Sequence, residues 1–314
     1  MKIAIAGAGA MGGRFGYMLH KAGNDVTLID QWEPHVAAIR EKGFQINFNG
    51  EDIIAKLPIY FPAEVVSSEM EFELIILFTK AMQLEGMLQA LGPVITNKDT
   101  YVICLLNGIG YEKILEKYVP QKNVLFGNTM WTAGLVGPGK IKLQGTGTVD
   151  FRNLHPDGEE MAHKVVKLFT DAGLSGVYTE DVHHTIYKKA CVNGTVNGLC
   201  TLLDVNMNGL SIASCGQDMI RAIIAEFAAV AAVEGVKLDQ EAIAAFILNA
   251  CDLNVVGRHY PSMYQDLIGQ NRLTEIDYIN GVIVKKGKEY GIPTPYCAFL
   301  TELVHCKEDI LKAK

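Results

Sequence analysis

The first thirty residues combine two short apolar runs with one amphipathic segment. Residues 2–6 and 26–29 are apolar runs typical of buried parallel strands. Residues 11–22 place apolar side chains at the three- and four-residue spacing of a helix, which stops at Gly23. The pattern therefore predicts a strand, a tight turn, a helix and a second strand.

The alternation of strands and helices continues to about residue 180, with one interruption. Asn49-Gly50 lies between two short alternating segments, which is the strongest short-range signal for a β-hairpin. The first half of the chain is therefore predicted to be an α/β domain over residues 1–179. Its further strands are predicted at 73–78, 100–106, 123–130, 140–144, 146–152 and 176–178, and its further helices at 34–42, 84–91 and 159–171.

From residue 181 onward the apolar positions follow a helical period almost throughout. No repeat, low-complexity segment or long linker separates the two halves, so the boundary is a junction between a strand and a helix. We predict an all-α domain over residues 180–314. Its main helices are predicted at 181–203, 216–234, 239–253, 274–290 and 295–312.

The composition excludes several classes of protein. With 49% apolar and 20% charged residues the chain is globular and not disordered. A net charge of −7 without a Lys/Arg cluster argues against nucleic acid as a partner. The seven cysteines show no CxxC spacing and the histidines show no ligand spacing, so we predict buried cysteines in a reducing compartment and no metal site.

The apolar segments are too short for a membrane protein. No apolar run reaches the roughly 18 residues that a spanning helix needs, and the N-terminal run is shorter than that of a signal peptide. We therefore expect a cytoplasmic protein that has no membrane partner.

The turn after the first strand carries a glycine motif, Gly7-Ala8-Gly9-Ala10-Met11-Gly12. In dinucleotide-binding proteins the first glycine permits the turn, the second lets backbone approach the pyrophosphate, and the third lets the helix pack on the strand. The N-terminus of the helix favours the pyrophosphate anion. Asp30 ends the second strand, where a carboxylate accepts hydrogen bonds from the ribose hydroxyls. The motif and its context predict a dinucleotide cofactor.

Two polar residues follow later strands. Lys80 comes after the strand at 73–78, and Asn107 comes after the strand at 100–106. Ligands of open parallel sheets bind at the carboxyl ends of the strands, so both positions suit cofactor binding. A solvated lysine and a turn asparagine are equally good explanations from position alone.

The helix at 181–203 carries a second candidate site. Lys189, Asn193 and Asn197 share one face, about 6 Å apart along the axis. Gly194 and Gly198 lie one position further, and we expect them to let another backbone approach. Since Asn and Gly weaken helices, an ordinary exposed stripe would use Glu, Lys and Gln. We favour a functional face over an exposed polar stripe.

A third segment begins near residue 262. Thr274 is a good N-cap with Asp277 three residues later, so we expect Glu275 to begin a helix. By itself, a glutamate in a first helical turn is explained by the helix dipole.

Together these motifs resemble the ketopantoate reductase (2-dehydropantoate 2-reductase) family over the whole chain. The Lys189–Asn193–Asn197 face and the Thr274-Glu275-Ile276-Asp277-Tyr278-Ile279-Asn280-Gly281 block are specific in combination, whereas many dehydrogenases share the glycine turn. Further similarity lies in the GAGAMG turn, Thr79-Lys80-Ala81, Leu106-Asn107-Gly108-Ile109-Gly110 and Ser262-Met263.

The resemblance implies a Rossmann domain, a helical domain for substrate binding and dimerisation, and a cleft between them. It also implies hydride transfer from NAD(P)H to the C2 carbonyl of a branched 2-oxo acid such as 2-dehydropantoate, which gives a D-(R)-2-hydroxy acid in pantothenate biosynthesis. A homodimer is the expected partner state, although the sequence itself does not fix the oligomeric state.

The resemblance also implies roles for individual residues. Lys189 would be the general acid, and Glu275 would contact both the cofactor and Lys189. Asn193, Asn197 and Ser262 would join Lys189 in binding substrate, and we expect an apolar wall from Met263, Tyr264 and Leu267. The implied cofactor contacts are Gly7, Ala8, Gly9, Ala10, Met11, Gly12, Asp30, Gln31, Lys80, Asn107, Ala133 and Glu275.

Two departures from the family pattern bear on specificity. The family usually has an arginine directly after the position of Asp30 to bind the 2′-phosphate of NADP, and this chain has Gln31. The segment between Gln265 and Glu275 is one residue longer than usual, which changes the substrate site. We therefore expect NAD(H) to be preferred, with NADP(H) as the alternative.

Three alternatives stay open at this point. An NAD-dependent D-2-hydroxyacid dehydrogenase of the D-mandelate type is similar in both departures and would act on bulky branched or aromatic 2-oxo acids. A non-catalytic dinucleotide sensor would have no reason to keep Lys189 facing two asparagines. A β-hydroxyacid dehydrogenase also uses a lysine four residues before an asparagine, but it lacks the block from Thr274 to Gly281.

Overall fold

The computed structural model describes residues 1–314 and divides into two compact units. The first unit comprises Met1–Leu106 and Tyr111–Val182, and the second comprises Asn107–Gly110 and His183–Lys314. The main boundary therefore follows Val182, three residues after the predicted one at 179. The short segment Asn107–Gly110 groups with the helical unit, which the pattern did not indicate.

The first unit is an α/β structure with twelve strands. Its strands are β1 Lys2–Ala6, β2 Asp25–Ile29, β3 Phe44–Phe48, β4 Glu51–Ala55, β5 Ile59–Tyr60, β6 Leu74–Leu77, β7 Tyr101–Cys104, β8 Val124–Thr129, β9 Thr132–Gly137, β10 Lys140–Gln144, β11 Val149–Asn153 and β12 Gly176–Tyr178. Its α-helices are α1 Ala10–Lys21, α2 Glu33–Lys42, α3 Pro62–Ser67, α4 Leu84–Ala90, α5 Gly92–Ile95, α6 Glu112–Leu115 and α7 Glu159–Asp171. Three 3₁₀ turns lie at Ala81–Gln83, Gln121–Asn123 and Pro156–Gly158.

Eight strands form the main sheet in the order β12-β11-β8-β7-β6-β1-β2-β5. All neighbours are parallel except β8 and β11, which are antiparallel. The chain passes from β1 to β2 on one side and later returns to β6 on the other side of β1. This reversal is the topological switch point at which open α/β sheets bind ligands, beyond the carboxyl ends of the strands. Gly7 directly follows β1 at that edge.

The predicted hairpin is confirmed and belongs to a second, four-stranded sheet in the order β4-β3-β10-β9. Asn49 and Gly50 both have positive φ, at 51° and 95°, as a type I′ hairpin turn requires. This sheet packs against α1, because a Cβ on Gly13 would lie 2.5 Å from the Phe44 ring.

The second unit is all-α, as predicted. The long helices α10, α13 and α14 bury their apolar faces in its core. Its helices are α8 Val182–Leu203, α9 Met207–Ile212, α10 Gly216–Val233, α11 Gln240–Ala250, α12 Ser262–Tyr264, α13 Ile276–Tyr290 and α14 Pro295–Leu311, with a π-helical turn at Gln265–Gly269.

Several details differ from the predictions. Several short elements were not predicted, because two to six residues carry too little periodicity to be recognised: β5, β9, α3, α5, α6, α9 and α12. The prediction that every cysteine is buried is wrong for Cys215 and Cys306, which are exposed. None of the helices has both the length and the apolar character needed to cross a bilayer.

Candidate active site

Each glycine of the turn between β1 and α1 has a different geometric role. Gly7 has a φ of +96°, and a Cβ there would lie 2.5 Å from the carbonyl carbon of Phe78. A Cβ on Gly12 would lie 1.9 Å from the Gly7 carbonyl oxygen, whereas a Cβ on Gly9 would meet no atom within 4 Å. Packing thus requires the first and third glycines, and the second borders open space suited to a pyrophosphate.

The N-terminus of α1 is suited to an anion. The helix begins at Ala10, with Gly9 in the N-cap position, and its first turn contains no acidic residue. N–H groups in a first turn have no intrahelical acceptor, and the positive end of the helix dipole adds to their attraction for negative charge. The residues present therefore fit the pyrophosphate of a dinucleotide.

Asp30 is fixed beside the glycine turn by two backbone hydrogen bonds. Its Oδ2 accepts the Ala8 N–H at 2.7 Å, and its Oδ1 accepts the Trp32 N–H at 2.8 Å. Gln31 is exposed and brings no positive charge. A carboxylate in this position can accept hydrogen bonds from a ribose diol, and it would repel a 2′-phosphate.

A buried histidine that the sequence analysis missed supports the same turn. His35 Nδ1 accepts the Gly139 N–H at 3.0 Å, so Nε2 carries the proton and donates to the Ala8 carbonyl oxygen at 2.8 Å. Burial lowers the pKa of His35, in agreement with the neutral ring that these two bonds require. The sequence offered one signal for this role, since His35 lies next to Val36, an apolar position of α2.

Lys80 and Ala133 lie in the same unit as the glycine turn, and both are half-buried. Ala133 is on β9, which Arg14 of α1 joins to β10. The Arg14 guanidinium donates to the Thr132 carbonyl oxygen at 3.1 Å and to the Gln144 carbonyl oxygen at 2.7 Å. Burial lowers the pKa of Arg14 to about 10, so the group is still charged at neutral pH. Arg14 thus fixes the strand that carries Ala133, a role that the sequence analysis missed.

Asn107 lies in the second unit, near the start of α13. Two residues further on, the Ile109 N–H donates to the Tyr278 carbonyl oxygen at 3.1 Å. Tyr278 is three residues after Glu275. The structure therefore brings the segment of Asn107 to the helix start at which Glu275 lies.

Helix α8 carries Lys189, Asn193 and Asn197 at successive four-residue spacings. Lys189 and Asn193 are half-buried, and Asn197 is only 3% exposed. Asn197 Nδ2 donates to the Oγ of Ser262, which is exposed, at 3.4 Å. Two of the expected substrate ligands, from distant parts of the sequence, are therefore in contact.

The glycines beside this face accommodate side chains, and the expectation of a backbone approach is wrong. A Cβ on Gly194 would lie 2.5 Å from the Phe227 ring, and a Cβ on Gly198 would lie 3.0 Å from the Leu300 side chain. Asn280, which is fully buried, donates to the Gly194 carbonyl oxygen at 3.0 Å. This role of Asn280 was not predicted from the sequence, although an asparagine inside a helix weakens the helix and is itself a signal.

The segment after Ser262 contains the π-helical turn Gln265–Gly269. A π-helical turn absorbs one extra residue within a helix, in agreement with the length difference seen in the sequence. Met263 and Leu267 are 2% and 1% exposed, so both pack inside the unit and do not form the expected open wall. Tyr264 is partly exposed, and its hydroxyl donates to Asp204 Oδ1 at 2.7 Å.

The predicted N-cap at Thr274 is one residue early, and Asp277 does not accept the Thr274 N–H. Helix α13 begins at Ile276, with Glu275 in the N-cap position, and the Thr274 hydroxyl accepts the Ile276 N–H at 3.3 Å. The Thr274 N–H donates instead to Oε1 of Glu308, on α14, at 2.7 Å. Glu275 is 7% exposed. No group of three or more His, Cys, Asp or Glu side chains is arranged to hold a metal ion.

Two family models match the chain and together cover most of it. "Ketopantoate reductase PanE/ApbA" matches residues 3–156, and "Ketopantoate reductase PanE/ApbA C terminal" matches residues 181–308. The first match contains the glycine turn and Asp30, and the second contains Lys189 and Glu275.

Full-length relatives agree with these matches. The chain is 56% identical over 314 residues to a 2-dehydropantoate 2-reductase of Lactococcus lactis, with all of both chains covered. It is 47% identical over 312 residues to a 2-dehydropantoate 2-reductase of Streptococcus pyogenes, covering 99% of each chain. A solved structure of D-mandelate dehydrogenase with NADH and anilino(oxo)acetate is 57% identical, covers all of both chains and has a TM-score of 0.97.

Proposed function

Because the chain belongs to the ketopantoate reductase family and is an oxidoreductase of the 2-dehydropantoate 2-reductase type, we propose that it uses NADH to reduce bulky 2-oxo acids. The product is the D-(R)-2-hydroxy acid. The observation that carries the proposal is Asp30, which is held beside the glycine turn by the Ala8 and Trp32 N–H groups.

The choice of NADH follows from charge. A 2′-phosphate carries up to two negative charges, and it would lie near the Asp30 carboxylate with the neutral Gln31 as the next residue. The related D-mandelate dehydrogenase was solved with NADH, which supports the same preference. Lys80, Asn107 and Ala133 are proposed as further cofactor contacts.

Lys189 is the proposed general acid. Reduced nicotinamide supplies the hydride, and the C2 oxygen of the substrate gains negative charge as the carbonyl is reduced. A lysine ammonium within about 3 Å of that oxygen stabilises the charge and then donates the proton. Asn193, Asn197 and Ser262 are the proposed ligands of the substrate, since amide and hydroxyl groups can donate to its carboxylate.

Glu275 is proposed to orient the ammonium of Lys189 and to contact the cofactor. An ionised carboxylate has no proton to donate, so Glu275 cannot replace Lys189 as the acid. The burial of Glu275 supports this role, because a nearly buried carboxylate is costly unless it is paired.

The proposed substrates are bulky 2-oxo acids that include both 2-dehydropantoate and aryl-substituted acids. The Lactococcus lactis relative supports the former, and the bound anilino(oxo)acetate of the D-mandelate dehydrogenase supports the latter. The π-helical turn after Ser262 is a structural reason for a broad site, because the extra residue alters the segment that follows a substrate ligand.

A panel of 2-oxo acids assayed with NADH and with NADPH tests the proposal. The purified protein is expected to oxidise NADH with 2-dehydropantoate, with branched 2-oxo acids and with benzoylformate, the oxidised form of mandelate, and to prefer all of them to pyruvate. Better kcat/KM with NADPH, or with pyruvate, would contradict the proposal. If none of the acids caused oxidation of NADH, the result would support the dinucleotide sensor.

We also propose that the protein is a homodimer that pairs through α14. Tyr296, Phe299, Leu303 and Ile310 lie on one side of this helix at spacings of three, four and seven residues, and they are 51%, 64%, 37% and 77% exposed. Such an apolar stripe is costly to leave in water. Light scattering should give the mass of a dimer, and Phe299→Glu should give the mass of a monomer. A monomeric wild-type protein would show that the proposal is wrong.

A further inference from the structure

His305 lies between two carboxylates in the second unit. Its Nδ1 is 2.9 Å from Oε2 of Glu308, and its Nε2 is 3.0 Å from Oδ1 of Asp277. An ionised carboxylate can only accept a hydrogen bond, so both ring nitrogens must carry protons to make both contacts. The arrangement therefore holds His305 as an imidazolium that joins α14 to the first turn of α13.

The charges around the ring agree with this protonation state. Partial burial lowers the pKa of His305, but the hydrogen bonds and negative charges of Glu308 and Asp277 outweigh burial and raise the pKa above its ordinary value. Glu308 lies on the same helix as His305, and Asp277 lies on the helix packed against it.

Glu308 connects this histidine to the segment that carries Glu275. The Glu308 side chain is 6% exposed, and its two oxygens have different partners. Oε2 faces His305, and Oε1 accepts the Thr274 N–H at 2.7 Å. Thr274 directly precedes Glu275, so one buried carboxylate holds the backbone next to the proposed active-site glutamate.

The rest of the same segment is tied to the residues after α14. The Leu273 N–H donates to the Lys314 carbonyl oxygen at 3.3 Å, and the Lys314 N–H donates to the Asn271 carbonyl oxygen at 3.2 Å. These backbone bonds hold residues 271–273, whereas the Thr274 N–H is held by the Glu308 side chain. Loss of the Glu308 contact would therefore loosen the segment at the residue before Glu275.

We propose that Glu308 and His305 are positioning residues for Glu275, and that the charge on His305 sets the upper pH limit at which Glu275 keeps its position. The proposal rests on the proposed function, because Glu275 is placed at the active site there. When His305 loses a proton it can donate to only one of its two carboxylates. Whichever nitrogen keeps its proton, the buried Glu308 charge then no longer faces a cation, and the ion pair that fixes Glu308 toward Thr274 is lost.

The sign of the pH dependence follows from the raised pKa. The contribution of His305 is complete below the ordinary histidine pKa of about 6.5 and is lost as the pH rises through the higher value in the folded protein. Glu308→Gln keeps an oxygen that can accept the Thr274 N–H, but it removes the charge that faces His305.

An NMR titration tests the protonation step without any assay of activity. The His305 ring resonance, assigned by its absence in His305→Gln, should titrate above the ordinary value, and Glu308→Gln should lower its midpoint. The backbone amide resonance of Glu275 should shift with the same midpoint as the His305 ring. A Glu275 resonance that does not change through the His305 titration would overturn the proposal, whether or not the protein reduces any 2-oxo acid.

A double-mutant cycle tests the coupling to Glu275. Glu308→Ala should lower kcat/KM about tenfold in the wild-type background and less than about twofold in the Glu275→Ala background, because its effect passes through Glu275. An equal loss in both backgrounds would show that Glu308 acts only on general stability.

The pH profile supplies a matched control. His305→Gln should shift or remove the alkaline fall in kcat/KM that His305 causes in the wild type. His163→Gln is the control, because His163 also faces a carboxylate, at 3.7 Å from Glu159, but on the surface of α7 in the first unit. An unchanged profile in His305→Gln, or the same change in His163→Gln, would contradict the role of His305.

Discussion

Asn280 joins two helices of the candidate site, because its side-chain amide donates to the Gly194 carbonyl oxygen at 3.0 Å. Gly194 follows Asn193 on α8, and Asn280 lies on α13, which begins directly after Glu275. The bond therefore couples the helix of Lys189 to the helix of Glu275. A buried hydrogen bond of this kind sets the relative position of side chains that have to act together.

Asn280→Ala should lower both stability and activity. The substitution leaves a cavity and removes a buried hydrogen bond, at an expected cost of about 1–3 kcal/mol in the free energy of unfolding. The KM for the 2-oxo acid should rise while the KM for NADH changes little. Denaturant unfolding and steady-state kinetics measure the two effects. Asn47→Ala removes only exposed bonds, one to Asp52 and one from the Gly50 N–H, so it is the control and should leave both quantities nearly unchanged.

The cofactor preference depends on Asp30 and Gln31. Asp30→Ala combined with Gln31→Arg removes the carboxylate and adds a cation, so the ratio of kcat/KM values should move from NADH toward NADPH by at least about tenfold. Asp25→Ala is the control, because Asp25 lies at the opposite end of β2 and is exposed. A double variant that still prefers NADH as strongly as the wild type would show that other residues determine the choice.

The local motifs could be predicted from the sequence, and their partners could not. The turn from Gly7 to Gly12, the hairpin at Asn49 and the face of Lys189 each depend on residues within one or two adjacent elements. The contacts that hold these motifs are long-range. Arg14 bonds to a residue 118 positions away, and Asn197 meets Ser262 across 65 positions. Neither the periodicity nor the spacing of residues in the sequence predicts such pairs.

The capping error at Thr274 has the same cause. The residues from Thr274 to Asp277 satisfy the local rule for an N-terminal cap, and the Thr274 hydroxyl does accept the Ile276 N–H. The Thr274 N–H, however, is accepted by the buried Glu308 on α14 and not by Asp277. Asp277 instead faces His305. A local rule fails where a side chain distant in sequence offers the stronger acceptor, and here that occurs next to a proposed active-site residue.

Lys189→Ala tests the proposed general acid. Loss of the ammonium should reduce kcat by at least about a hundredfold, because proton transfer and charge stabilisation both depend on it. NADH binding, measured by fluorescence, should persist. Lys188→Ala is the matched control, since Lys188 is the exposed neighbour on the same helix. Glu275→Ala should differ from both by raising KM as well as lowering kcat.

A near-normal kcat in Lys189→Ala, with circular dichroism unchanged from the wild type, would show that the proton comes from another group. An equal loss in Lys188→Ala would indicate damage to α8 and not the removal of an acid.

Gly194→Ala tests whether close packing at α8 is required for the site. A Cβ at this position would lie 2.5 Å from the Phe227 ring, which is fully buried and cannot move without disturbing α10. Alanine is otherwise favoured over glycine in a helix by about 1 kcal/mol, so a net loss of about 1–3 kcal/mol in the free energy of unfolding would come from this clash. Gly86→Ala in α4 is the control, because a Cβ there meets no atom within 4 Å, and it should leave stability unchanged or raise it.

Phe227→Leu should destabilise the wild type but recover part of the loss in the Gly194→Ala background, because the smaller side chain makes room for the methyl group. Equal stability of Gly194→Ala and the wild type in denaturant unfolding would mean that α8 and α10 can separate without cost, and the packing would then not position Asn193.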